Sequence, residues 1–152
     1  MIFILFLFGQ IVLKAADAPV VNIQTAPCSI VPGQSDTIAF SITIKAGFHI
    51  QGTQLPDENM IPTQLEFDKD SLILLGDPIL PQPHLFKMAG MPAEIPVLDS
   101  SFSIYIPFKI SKFFKSGERI IKGSLFYQAC DSVRCLFPKR EPIELTFRIK
   151  NK

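Results

Sequence analysis

The chain has 152 residues, with 15 Lys+Arg against 14 Asp+Glu and a formal charge of +1. Hydrophobic residues make up 47% and charged residues 19%, a balance that excludes disorder of the whole chain. No basic excess exists to neutralise a phosphate backbone, which excludes the electrostatic footprint of a nucleic-acid binder.

The length fits one domain. Met1 to Leu13 (MIFILFLFGQIVL) is apolar except at Gly9 and Gln10. As a helix it rises about 20 Å, short of the roughly 30 Å hydrocarbon core, so it reads as the apolar region of a secretory signal rather than a membrane span. The small residues Ala15, Ala16 and Ala18 follow. Residues 1–18 are assigned to a signal peptide and 19–152 to the exported domain, with an uncleaved N-terminal anchor as the alternative. The expected location is the periplasm, with the membrane touched only through that signal. Export also puts the three cysteines in an oxidising compartment, although three are too few for a disulfide-stapled scaffold.

Thr37 to Lys45 alternates strictly, with Ile38, Phe40, Ile42 and Ile44 on one face. Period two over this length predicts a strand with one buried face. Phe48–Thr53, Thr63–Phe67 and Leu72–Leu75 are weaker strand candidates. Gly76 to Pro96 carries Pro78, Pro81, Pro83, Pro92 and Pro96. It reads either as a wandering connection holding a short strand or as a functional lid. Phe102, Ile104, Ile106, Phe108 and Ile110 repeat the alternation, and Pro107 within it implies an edge strand or a bulge. Ser111–Gly117 is a turn, Ile120–Gln128 a further strand, and Ile143, Leu145, Phe147 and Ile149 mark the last. No segment of helical length shows a 3.6-residue apolar period. The expected fold is all-β, an immunoglobulin-like antiparallel β-sandwich.

Cys130 and Cys135 lie in FYQACDSVRCLFP, with Asp131 and Ser132 as turn material between them. Three readings compete. A structural staple would hold a turn, although a ring this short gains little loop entropy. A metal site would need two further partners, and only His49 and His84 are available at unsuitable spacing, so no metal and no cofactor is assigned. A redox-active pair is the third, since strain in a short ring eases reduction. Spacing alone favours the staple over the redox pair.

Phe126-Tyr127-Gln128-Ala129-Cys130, then Cys135 and Pro138, resembles the YQxC…C…P signature of the N-terminal periplasmic domain of the DsbD family of thiol:disulfide interchange proteins. Gly47-Phe48-His49-Ile50 is similar to the family's Gly-aromatic-x-aliphatic strand, and Ile61-Pro62-Thr63 to its IPT strand start. The likeness runs from about Val31 to Ile149, and it reverses the order of the readings. It implies a thiol-disulfide oxidoreductase of the protein-disulfide reductase type, in which Cys135 forms the intermolecular bond and Cys130 resolves it. Electrons would come from one thioredoxin-like protein or domain and pass to another, such as a disulfide isomerase or a thioredoxin-like protein of cytochrome c maturation. A cap loop with an aromatic shield is implied too. Gly76–Pro96 occupies its place, with Phe86 as the shield and Phe48 beside it, and with Tyr127, Gln128 and His49 as supporting residues.

The chain departs from the family in two respects. The best-known members carry acidic residues in the cap and tyrosines where this chain has Phe48 and Ile50. His49 or Asp131 is left to handle protons. They also continue into a membrane electron channel and a thioredoxin-like domain, so this chain is expected to act as a free-standing shuttle. The rival expectation is a non-catalytic sandwich that binds a partner and keeps a structural disulfide. Cys28 is assigned no role.

Overall fold

The computed structural model describes residues 19–151; the signal segment expected over 1–18 lies outside the described residues. Twelve strands follow in order: β1 Val21–Thr25, β2 Cys28–Ile30, β3 Ser35–Ile44, β4 His49–Gln51, β5 Gln64–Phe67, β6 Ile73–Leu75, β7 His84–Phe86, β8 Ile95–Asp99, β9 Ser101–Ile110, β10 Gly117–Tyr127, β11 Ala129–Cys130 and β12 Lys139–Ile149. Among the described residues there is no helix.

Two sheets make the sandwich. One has the order β1-β3-β9-β6 and the other β2-β12-β10-β5. The alternating residues decide the inner faces. Ile38, Phe40, Ile42 and Ile44 of β3, Ile104, Ile106, Phe108 and Ile110 of β9, and Ile143, Leu145, Phe147 and Ile149 of β12 are all buried in one core. Each such side chain contributes about 1.5–3 kcal/mol by leaving water. Phe108 and Phe147 meet across the layers edge to face, with ring centroids 4.8 Å apart. All ladders are antiparallel except β2 with β12, which is parallel. The fold is therefore an immunoglobulin-like β-sandwich, as the alternation predicts.

Pro107 does not lie in an edge strand. β9 has β3 on one side and β6 on the other. On the β6 side, Leu75 pairs with Phe108 while Ile79 bridges Tyr105, so the segment opposite Pro107 holds one extra residue. This is a bulge, and it spares the ladder the donor that proline lacks. The Gly76 N–H still donates to the Pro107 carbonyl at 2.7 Å.

A third, smaller sheet has the order β11-β4-β8-β7. It is made where strands run out of the main sheets at one end. β8 continues into β9 through Ser100 alone, whose φ of 59° supplies the kink. β10 continues into β11 through Gln128, and β3 reaches β4 through a turn closed by the Phe48 N–H to the Lys45 carbonyl at 3.0 Å. Gly47 takes φ of 83° in that turn, a conformation that costs a side-chain-bearing residue more. The small sheet thus draws strands from both layers. The proline-rich 76–96 stretch is no free loop: Ile79 bridges Tyr105, and His84–Phe86 forms the strand β7 at the edge of the small sheet.

Candidate redox site

Cys130 ends β11, and a tight turn brings Cys135 back opposite it. The Asp131 N–H donates to the Arg134 carbonyl at 2.9 Å, and the Leu136 N–H to the Ala129 carbonyl at 2.8 Å. The Asp131 carboxylate accepts from the Val133 and Arg134 N–H groups, both at 2.8 Å. Between these bonds Cys130 and Cys135 form a disulfide with Cα atoms 3.9 Å apart. The Gln128 side-chain amide donates to the Leu136 carbonyl at 3.0 Å and ties the returning arm to the strand.

The two halves of the disulfide differ in exposure. Cys130 is fully buried, whereas Cys135 is exposed. Cys135 lines an open hollow of about 590 Å³ with Gln128, Arg134, Leu136, Phe137 and Lys139. Phe137 is 92% exposed and Val133 71%, so the rim offers bare apolar surface. An attacking thiolate can reach the Cys135 sulfur and leave the Cys130 sulfur as the departing group.

Around Cys130 the environment is closed. His49 stands opposite it in the ladder, and Gln51, two residues on, directs its side-chain amide to the Cys130 Sγ at 3.9 Å. His49 and Gln51 are both buried, and Thr63 donates its hydroxyl to the Gln51 carbonyl. Among the described residues, His49 Nε2 and Gln51 Oε1 find no hydrogen-bond partner. Burial holds the His49 pKa below the ordinary histidine range, and nearby Asp99 opposes that shift. The Phe86 ring lies 4.4 Å from the His49 ring. Beside it, the Ala89 N–H donates to the Ser132 carbonyl at 3.1 Å, which joins the 76–96 stretch to the disulfide turn.

Of the residues singled out from sequence, the structure brings together Cys130, Cys135, His49, Gln128 and Phe86. Phe48 is not part of this group. It precedes His49, so it faces away from Cys130 and packs half-buried against the main core. Tyr127 is a core residue: its phenol is buried, and desolvation followed by the neighbouring Glu141 carboxylate pushes its pKa up to about 12. Cys28 is half-buried in β2, and burial pushes its thiol pKa up. Sequence reasoning missed Gln51, although alternation from His49 puts it on the Cys130 face. It also missed Asp99, whose carboxylate lies 3.5 Å from His84 Nε2. Among the described residues no cluster of His, Cys, Asp or Glu is arranged to hold a metal.

No family model and no curated protein matches the chain. Its neighbours among solved structures include two N-terminal domains. The N-terminal periplasmic domain of ScsB from Proteus mirabilis aligns with a TM-score of 0.55 and 16% identity, over 88% of this chain and 49% of that one. The chain thus spans about half of that structure. The DsbD N-terminal domain of Neisseria meningitidis aligns with a TM-score of 0.48 and 16% identity, over 86% of this chain and 90% of that one. At these identities the likeness to the ScsB domain shows a common fold. No helix among the described residues is long and apolar enough to cross a membrane.

Proposed function

We propose that the chain is a periplasmic thiol:disulfide exchange domain that carries electrons between thioredoxin-fold partners through Cys135 and Cys130. The observation that carries this reading is the asymmetry of the disulfide, with Cys135 open beside an apolar hollow and Cys130 sealed. A staple gains nothing from that arrangement. Its turn is already closed by the Asp131 bonds and the Leu136 N–H.

The exchange runs in two steps. A partner thiolate attacks the Cys135 Sγ, the Cys130–Cys135 bond breaks, and the Cys130 thiolate leaves with the electron pair. The partner's second thiolate then attacks its own half of the mixed disulfide and releases Cys135. The partner is oxidised to a disulfide, this chain is reduced to a dithiol, and the two protons lost by the partner's thiols are matched by two gained here. The reverse sequence delivers the electrons to an acceptor, a disulfide isomerase or a thioredoxin-like protein of cytochrome c maturation. Exposed Phe137 and Val133 give such partners an apolar landing surface. Phe86 acts as the shield that restricts access from the His49 side, which fits its ring contact. The apolar Met1–Leu13 segment supports export, and the ScsB neighbour is itself a periplasmic domain.

The test is the reduction potential of the pair together with partner trapping. A value of roughly −180 to −270 mV, with a mixed disulfide held by Cys135 in the Cys130→Ser variant, supports the shuttle. A value below about −300 mV with no trapped species leaves a structural disulfide on a binding module.

A further inference from the structure

One face of the small sheet collects polar groups that a packed core has no use for. Directly paired residues of antiparallel strands share a face, as do residues two apart on one strand. Cys130 pairs with His49, His49 with Asp99, Gln51 with Val97, Val97 with His84, and Ile95 with Phe86. Cys130, His49, Gln51, Asp99, His84 and Phe86 therefore lie on one side. On it, the buried His49 Nε2 and Gln51 Oε1 have no partner among the described residues while the disulfide is closed. A disulfide carries no S–H, whereas the reduced pair does. Reduction brings a thiol proton to Cys130, directly across the ladder from His49 and its unpartnered Nε2.

We propose that His49 is the proton acceptor for the buried Cys130, taking its thiol proton when Cys130 attacks the mixed disulfide on Cys135 and returning it when the Cys130 thiolate is expelled, while Gln51 holds the sulfur. The proposal deepens the exchange reading and rests on it. In the closing direction the bond between Cys135 and the partner sulfur breaks and the Cys130–Cys135 bond forms. The partner sulfur leaves as a thiolate with the electron pair, and the proton passes to His49 and then to solvent. Cys130 is oxidised and the partner sulfur reduced. Cys130 is sealed from bulk water, so the proton needs a local carrier.

Asp131 is not suited to this work. Its carboxylate is engaged by the Val133 and Arg134 N–H groups, which hold its pKa below the ordinary carboxylate range. Burial keeps His49 neutral at rest and therefore able to accept. Asp99 and Asp131 favour the imidazolium that forms, and His84 opposes it while pairing with Asp99.

The test uses the full chain carrying Cys28→Ser, which silences the third thiol. The reduced protein is mixed with the aromatic disulfide dithiobis-nitrobenzoate. The first nitrothiophenolate released reports the mixed disulfide on Cys135, and the second reports closure by Cys130. With His49→Phe, closure slows about tenfold or more at neutral pH. Its rate then climbs with pH until it approaches that of the His49 protein in alkali. His49→Gln, which keeps a polar side chain and protects against loss of folding, gives the same profile. Closure that is unchanged in both variants, or slowed equally at every pH, overturns the role of His49. If the protein with His49 intact fails to release a second equivalent, Cys130 does not resolve, and the exchange reading falls with the proposal.

Discussion

The Phe86 ring is tilted 45° against the His49 ring at 4.4 Å, and His49 is the cross-strand partner of Cys130. The Phe86 ring and the sealed cysteine thus flank the same imidazole. Removing the ring opens that side of the disulfide. Phe86→Ala is expected to raise the rate of reduction by glutathione several-fold, read by alkylating the free thiols over time. An unchanged rate would show that Phe86 shields nothing.

His49 also ties stability to pH. Its folded-state pKa is lowered, mainly by burial. Below the ordinary histidine value of about 6.5 the unfolded chain takes up a proton that the folded chain refuses, so stability falls as pH drops through that range. Urea midpoints measured from pH 7.5 down to 5.5 should decline, and His49→Gln should flatten that decline.

Tyr127 acts at the other end of the scale. Its folded pKa is raised to about 12, so above the ordinary value near 10 the unfolded chain loses a proton that the folded chain retains. Stability is complete below that value and falls as pH rises from it towards the folded pKa. Tyr127→Phe should remove this alkaline loss, as thermal melts in alkaline buffers would show.

Gly123 lies in β10 where β5 pairs, opposite Phe67. A Cβ there would run into the Phe67 ring and the Glu66 carbonyl. Gly123→Ala is expected to cost about 1–3 kcal/mol by forcing β5 off the sheet. Urea unfolding measures the loss, and faster amide exchange at Leu65 and Phe67 locates it.

Phe147 is fully buried and meets Phe108 across the layers. Phe147→Ala should lower stability by about 3–5 kcal/mol. A double-mutant cycle with Phe108→Ala should give a coupling of about 0.5–1.5 kcal/mol, the contribution of the edge-to-face pair beyond burial.

The strands that sequence shows plainly are those with one wet and one dry face. β3, β9 and β12 alternate because solvent meets every second side chain. β8 (IPVLD) was missed because Ile95, Val97 and Leu98 are buried on both faces, which erases the alternation. β1 and β2 carry one buried residue each, too few to mark a period. The third sheet was invisible because it depends on a kink at Ser100, and nothing local announces a positive φ at serine. At the site, the cysteine pair was legible from its motif. His49 was noted for its type, but its position opposite Cys130 is a pairing between residues far apart in the chain. Asp99 joins it only through the same register, and Gln51 follows from His49 by alternation once that register is known.

The pairing of β2 with β12 bears on the order in which the fold can be completed. Among the described residues, Cys28–Ile30 forms its ladder only with Phe147–Ile149, more than a hundred residues further on. The sheet that holds β10, and through it the cysteine turn, cannot be completed until synthesis has reached its last strand. Closing so long a loop is slow, and the nascent chain stays open meanwhile. The sandwich is thus a clasp between distant parts of the chain, and it shuts only when both are present.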